Sequence, residues 1–381
     1  MSGLAPFFPP SHPEMSIVRA DGARLTDAGG REYVDLGISH GVANLGWRHP
    51  AVVTAIERQA GSVISLGSGL GTPARAEFLE ALGSTLPPTL SRVFLSNSGT
   101  ESVEAAIKFA RSATGRSKIV AARRGFHGRT MGSLSATWRP ELRAPFEPLV
   151  PEFVHVPYND PAALEGAVDG ATAMVLLEPV QGEGGVHVGG PDYLRAARAA
   201  AHRSGALLAW DEVQSGMGRT GRVWAFEHCG AVPDLLCAAK GLAGGVPIGA
   251  TIATAEVVER FRGSHHSTFG GNPLACAAGA AAVRALVAER LPERAAALGA
   301  RLIERLQRLP PERVREVRGV GLMVGVELRE KVAPVLDALK ERGFLALPAG
   351  ATVLRLLPPL VIREDDLWAG VEAIEEVVGR G

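Results

Sequence analysis

"RVFLSNSGTESVEAAIKFARSATGRSKIVAA", residues 92–122, passes from an apolar run through a polar turn into a stretch with helical spacing of its apolar residues, and then into a second apolar run. Runs that are apolar throughout suit strands buried on both faces, and their alternation with helices indicates a mostly parallel sheet of α/β type. The alternation continues in "AMVLLE" (173–178), the helical "PDYLRAARAAAHRSG" (191–205), "ALLAW" (206–210) and "DLLCAAK" (234–240). Ligands of such sheets sit beyond the carboxyl ends of the strands. The polar clusters "NSGT" (97–100), "EPVQGEGG" (178–185), "DEVQSG" (211–216) and "KGLAGG" (240–245) are therefore expected to converge on one crevice.

The ends of the chain read differently. Residues 16–36 suggest a hairpin with glycine-bearing turns, and a long helical stretch from about Pro273 leads into "VREVRGVGLMVGVEL" (314–328), a helix and "TVLRLLPPLVI" (352–362). The expected organisation is a large α/β domain over residues 51–276 and a small α+β domain built from residues 1–50 and 277–381.

Composition limits the partners. Of 381 residues, 46% are hydrophobic and 21% charged, with forty basic and forty acidic side chains. That balance points to no nucleic acid and no membrane partner. Cys229, Cys237 and Cys276 lack metal-ligand spacing, which argues against a metal or disulfide framework and for a reducing compartment. No run approaches the length of a membrane span, and "MSGLAPFFPPSHPEM" lacks the charged-then-apolar pattern of a secretion signal, so a cytoplasmic location is expected.

Only five of the basic residues are lysines, and Lys240 alone ends an apolar run at the expected crevice. A lysine in apolar surroundings has a lowered pKa and forms Schiff bases, the chemistry of pyridoxal phosphate. That cofactor also needs a phosphate cradle and an acid against its pyridine nitrogen. The helix start at "NSGT" offers free N–H groups and a favourable dipole for phosphate, although the same residues would also make a plain N-cap. Asp211, at a strand terminus, is the acid that would keep the nitrogen charged; Glu212 points away by strand alternation and is expected to be structural. Two competing readings are weaker. "GISHG" (37–41) matches a hydrolase nucleophile elbow with Ser39 as nucleophile, but Gly46 and Pro50 follow where an elbow needs a helix. "GVGLMVG" (319–325) has the wrong spacing for a dinucleotide loop and suggests a close-packed strand pair.

Taken together, "SNSGTES", "FHGRTMGSLSAT", "EPVQGEGG", "WDEVQSGMGRTG", "AAKGLAGGVPIGA", "STFGGNPLACAA" and "LRLLPPLVI" resemble the class III pyridoxal-phosphate aminotransferases, in the acetylornithine aminotransferase group. "GSLSATWRPELRAPFEPLV" and "GLMVGVELREKVAPVL" look most like the branch acting on lysine precursors tethered to the carrier protein LysW. The resemblance covers nearly the whole chain and implies fold type I, a homodimer, and transfer of a terminal amino group between N-acetylornithine or a LysW-bound lysine semialdehyde and the pair glutamate/2-oxoglutarate. Related ornithine and 4-aminobutyrate aminotransferases are the alternative within the class.

The roles implied are specific. Lys240 would bind the cofactor and move the proton, and Asp211 would face the ring nitrogen. Gly99 and Thr100 would bind phosphate, with Thr268 contributed by the partner subunit. Phe126 and Val213 would cover the two ring faces, and Gln214 would hold the ring hydroxyl. Arg129 would take a substrate carboxylate, Ser267 would touch substrate, and Glu183 with Arg355 would form a pair that opens or closes with each substrate. Trp47, "GTESVE" and "SLGSGLGTPARAEF" depart from the pattern expected of the group, which bears on the amino donor and leaves the cofactor residues untouched.

Overall fold

The computed structural model describes Phe7, His12 and residues 14–67 and 69–379. Its largest sheet has seven strands, in the spatial order Leu90–Ser96, Gly249–Thr254, Leu235–Ala238, Leu207–Asp211, Thr172–Leu177, Lys118–Ala122 and Phe153–Val156. Gly249–Thr254 pairs antiparallel with both of its neighbours, while the remaining pairings are parallel. Every residue of Thr172–Leu177, Leu207–Asp211 and Leu235–Ala238 is buried. Their unbroken apolar runs are thus explained by helices covering both faces.

Helix boundaries follow local chemistry. Gly99–Thr114 begins after Ser98, whose Oγ accepts the Glu101 amide at 3.3 Å, while the Glu101 carboxylate accepts the Asn97 amide at 2.9 Å. This reciprocal arrangement is worth about 1 kcal/mol of helix stability. The helix stops at Gly115, which takes the left-handed conformation. Pro191–Ser204 has proline in its first turn and left-handed Gly205 just past its end.

The terminal segments make two further sheets. Ile17–Asp21, Arg24–Asp27 and Glu32–Asp35 are antiparallel, and Phe344–Leu345 joins them in parallel with the last. Val314–Val320, Met323–Leu328, Val353–Leu356 and Leu347–Ala349 form the other. The "GVGLMVG" segment is the tight hairpin of that sheet, as its spacing suggested. The long helical stretch is two helices, Pro273–Ala288 and Leu291–Leu306, broken where Arg290 adopts a left-handed conformation. The first of these packs on helices Pro50–Ala60 and Pro73–Gly83 and on the turn that begins at Lys240.

One buried side chain ties the segments together. Arg219 is fully buried and donates to the carbonyls of Leu322 (2.9 Å) and Pro358 (2.5 Å) and to Asn44 Oδ1 (2.7 Å). Three stretches distant in sequence therefore meet at one guanidinium.

Candidate active site

A cavity of ≈ 530 Å³ opens at the carboxyl ends of the parallel strands. Gly99, Thr100, Phe126, Arg129, Glu183, Asp211, Val213, Gln214 and Lys240 all line it, although they come from five stretches of chain. Val42 from the N-terminal segment closes part of the wall. The convergence expected of the polar clusters is thus observed as geometry.

Lys240 follows directly on the buried strand Leu235–Ala238 and starts a tight turn, itself at φ 45°. Among the described residues its Nζ has no hydrogen-bond or ion-pair partner. Burial holds this amine below the usual lysine range, against the opposing pull of the Glu183 and Asp211 carboxylates. An amine whose charged form burial disfavours is a better nucleophile and base at a cavity wall than an exposed lysine.

Asp211 stands at the end of its strand, 4% exposed. Its Oδ1 accepts the Val213 amide at 3.1 Å, and its Oδ2 meets His127 Nδ1 at 2.8 Å. Burial opposes charge on His127, but the hydrogen bond and charge of Asp211, with the charge of Glu178, outweigh it and hold the imidazole above its ordinary value. The result is a fixed carboxylate. Its neighbour Glu212 turns the other way, as alternation required, and accepts the amides of Ala225 (2.5 Å) and Phe226 (2.8 Å). Burial pushes its carboxyl up to about 8. Glu178 also pins backbone, accepting the Phe126 and Gly182 amides at 2.9 and 3.0 Å, and burial raises its carboxyl as well.

The helix start at Gly99 is bare. A Cβ on Gly99 would lie 2.7 Å from Val213 Cγ1, so a side chain there would collide with the residue that walls the cavity. Thr100 Oγ1 is within hydrogen-bond distance of Ser133 Oγ (2.6 Å) and accepts the Arg129 amide at 3.3 Å. The Arg129 guanidinium has no ion-pair partner among the described residues. Ser267 and Thr268 are not brought to this cavity. They line an adjoining groove with Asn97 and Glu101, where Ser267 Oγ accepts from Asn97 Nδ2 at 3.3 Å, and Thr268 is exposed.

At the edge of the cavity Arg355, fully buried on strand Val353–Leu356, donates to Glu183 Oε1 at 2.6 Å and to Gln214 Oε1 at 3.2 Å. His40 Nδ1 accepts from the other arm of the same guanidinium at 3.1 Å and lies 3.4 Å from Glu183 Oε1. Burial works against charge on Glu183, yet the charge and hydrogen bond of Arg355 hold its carboxyl well below the usual range. His127 and His40 are the residues that sequence reasoning missed; "FHGRT" and "GISHG" contain them, but nothing local in either motif shows the partner.

These residues suit pyridoxal phosphate. An unpartnered lysine, a bare helix N-terminus and a buttressed carboxylate share one cavity, with an aromatic and a branched aliphatic side chain between them. Ser39 is exposed in a short left-handed turn with no helix of useful length behind it, so the elbow reading finds no support in the local backbone.

Comparison with known proteins agrees. The family model described as aminotransferase class-III matches residues 8–378. The chain is 51% identical to an acetylornithine aminotransferase of Methanopyrus kandleri over 93% of this chain and 91% of that one. It is 45% identical to a [LysW]-aminoadipate semialdehyde transaminase of Deinococcus radiodurans over 96% and 86%. Among solved structures, an ornithine aminotransferase of Toxoplasma gondii, reported with partial occupancy of pyridoxal phosphate at its active site, superposes with a TM-score of 0.91 at 33% identity, covering 100% of this chain and 91% of that one.

Proposed function

From the premise that this chain belongs to the class-III aminotransferases, we propose that it moves the terminal amino group between an N-blocked ornithine or lysine and 2-oxoglutarate. It is a pyridoxal-phosphate-dependent transaminase of fold type I. The blocked substrate we favour is N-acetylornithine or the LysW-bound lysine semialdehyde, in arginine or lysine biosynthesis, because relatives of both kinds align over nearly the full chain. We further propose a homodimer in which Thr268 serves the neighbouring subunit's cavity, and a domain division near residues 50 and 277.

The cofactor supplies an electron sink conjugated to the carbon that bears the reacting amine. Amides at Ser98–Thr100 would hold its phosphate, Asp211 would keep its ring nitrogen protonated, Phe126 and Val213 would enclose the ring, and Gln214 would meet the ring hydroxyl. Lys240 Nζ would take the proton from the substrate's amine-bearing carbon. Arg129 would bind the single carboxylate of a blocked diamino acid, as a planar fork suits a carboxylate, with Ser267 of the adjoining groove touching the same substrate. Glutamate brings a second carboxylate, for which Arg355 is the available cation.

The observation that carries this reading is the Arg355–Glu183 pair at the edge of the Lys240 cavity. A buried guanidinium left without an anion is costly. Glu183 would neutralise it while a monocarboxylate reacts and give way when glutamate arrives. The test is a rate comparison of N-acetylornithine with the LysW–lysine conjugate, using 2-oxoglutarate as acceptor. Turnover of a simple amine without a carboxylate at the same kcat/KM as both would refute the reading.

A further inference from the structure

The turn "GISHG" takes no part in the chemistry above, yet its backbone is costly. Ile38, Ser39 and His40 have φ of 36°, 48° and 61°, left-handed values that non-glycine residues adopt only when the surroundings enforce them. Asp35 Oδ1 enforces the entry by accepting the amides of Gly37 and Ile38, each at 2.8 Å. Gln214 Nε2 holds the exit by donating to the His40 carbonyl at 3.2 Å. The effect of the turn is to carry the His40 imidazole to Arg355.

There it takes one arm of the fork. Arg355 donates one terminal nitrogen to Glu183 and Gln214 and the other to His40 Nδ1. Nδ1 therefore acts as an acceptor and the imidazole proton sits on Nε2, an assignment that follows from the arginine contact. The charged groups facing His40 are Arg355, from the C-terminal sheet, and Glu183, from the glycine-rich loop; Gln214 is its neutral neighbour.

We propose that His40 is a specificity-determining residue of this site, whose ring occupies one arm of Arg355 and so handicaps a dicarboxylate that needs both arms. The proposal rests on the reading of Glu183 and Arg355 as the pair that answers to the substrate's second carboxylate. An incoming carboxylate must displace both Glu183 and His40 before it can engage both arms of the fork. That handicap falls on a dicarboxylate and not on a substrate whose only carboxylate goes to Arg129.

The test uses the holoenzyme and two unreactive probes, glutarate and butyrate, with affinities measured calorimetrically. His40→Ala, which frees the arm, is expected to bind glutarate about 5-fold or more tighter than the wild type, the lower end of coupling between interacting sites, while butyrate stays level. His40→Gln, which keeps an acceptor, should bind glutarate as the wild type does. No gain for His40→Ala, or an equal gain for butyrate, overturns the role of His40. Arg355→Ala separates the two ideas: if it binds glutarate like the wild type, the reading of the pair fails and the proposal falls with it.

Discussion

His127→Leu removes the side chain that fixes Asp211 while keeping nearly the same bulk in a fully buried position. Asp211 Oδ2 then loses its 2.8 Å hydrogen bond, and the carboxylate keeps only the Val213 amide at 3.1 Å. A hydrogen bond to a charged group is worth about 1.5–3 kcal/mol, which corresponds to a loss of about 10- to 150-fold in a binding constant that depends on it. Asp211 is left buried with one donor, so the cofactor-free variant should lose stability in thermal unfolding, a loss offset in part because the unpartnered His127 Nε2 is gone. Absorbance titration with pyridoxal phosphate should show the loss of affinity. His127→Asn, which can still donate from its amide, should recover part of it. A leucine variant that binds the cofactor as the wild type does would refute the argument that Asp211 is held by His127; a His127→Asn variant that recovers none of the loss would make His127 a packing residue only.

Four other outcomes follow from the same contacts. Lys240→Ala should fold and show no multiple-turnover transamination in a coupled glutamate assay, since its unpartnered amine is the base nearest the proposed reaction. Glu183→Ala should spare or improve the glutamate half-reaction and slow the terminal-amine half-reaction, the cost of leaving Arg355 unpaired being about 3–5 kcal/mol, while Arg355→Ala should damage the glutamate side most; single-turnover rates with each substrate decide it, and equal losses would make the pair structural. Arg219→Ala leaves the Leu322 and Pro358 carbonyls and Asn44 Oδ1 without their donor, so chemical denaturation should show a loss of at least about 3 kcal/mol. His127 has a folded value raised above its unfolded one, so its contribution to stability is fully present below the ordinary imidazole value and is lost as pH rises through the folded value; in His127→Leu that part of the pH dependence should vanish.

What was legible in the sequence is what short-range pattern encodes. Residues 92–122 carried the strand–helix–strand reading, but only Lys118–Ala122 is a run that burial leaves unalternating, as Thr172–Leu177 and Leu207–Asp211 are; Leu90–Ser96 is a partly exposed antiparallel edge strand. Lys240 and Asp211 could be picked out because each directly follows or ends such a run, where the geometry of a parallel sheet sends ligands. The break at Arg290 was not legible, since the apolar spacing continues across it and only the left-handed backbone interrupts the helix. Nor were the residues that support the site. His127 meets Asp211 across 84 positions, and His40 meets Arg355 across 315. Such pairs leave no periodic trace, because the sheet order rather than local spacing decides which loops become neighbours.

The division of labour in the cavity follows from that topology. Lys240, Asp211 and the start of the helix Gly99–Thr114 belong to the seven-stranded sheet and its crossovers, where every strand is hydrogen-bonded to a neighbour and three central strands are fully buried. That rigidity suits groups that must hold one cofactor in one orientation. Arg355 and His40 belong to the terminal segments, and Glu183 to a loop in which Gly182, Gly184 and Gly185 flank it. On the proposed reading, substrate discrimination falls on the terminal segments and this loop, which meet the cofactor residues through Gln214. Arg219 limits how far those segments can move, because its three neutral acceptors bind Asn44 and the Leu322 and Pro358 carbonyls to the loop after Asp211. Motion of the terminal segments as a whole would break those bonds; a swing of the Glu183 side chain breaks only its contacts with Arg355 and His40. The energetically accessible response to a second carboxylate is therefore local, and it is the response that the Glu183, Arg355 and His40 variants measure.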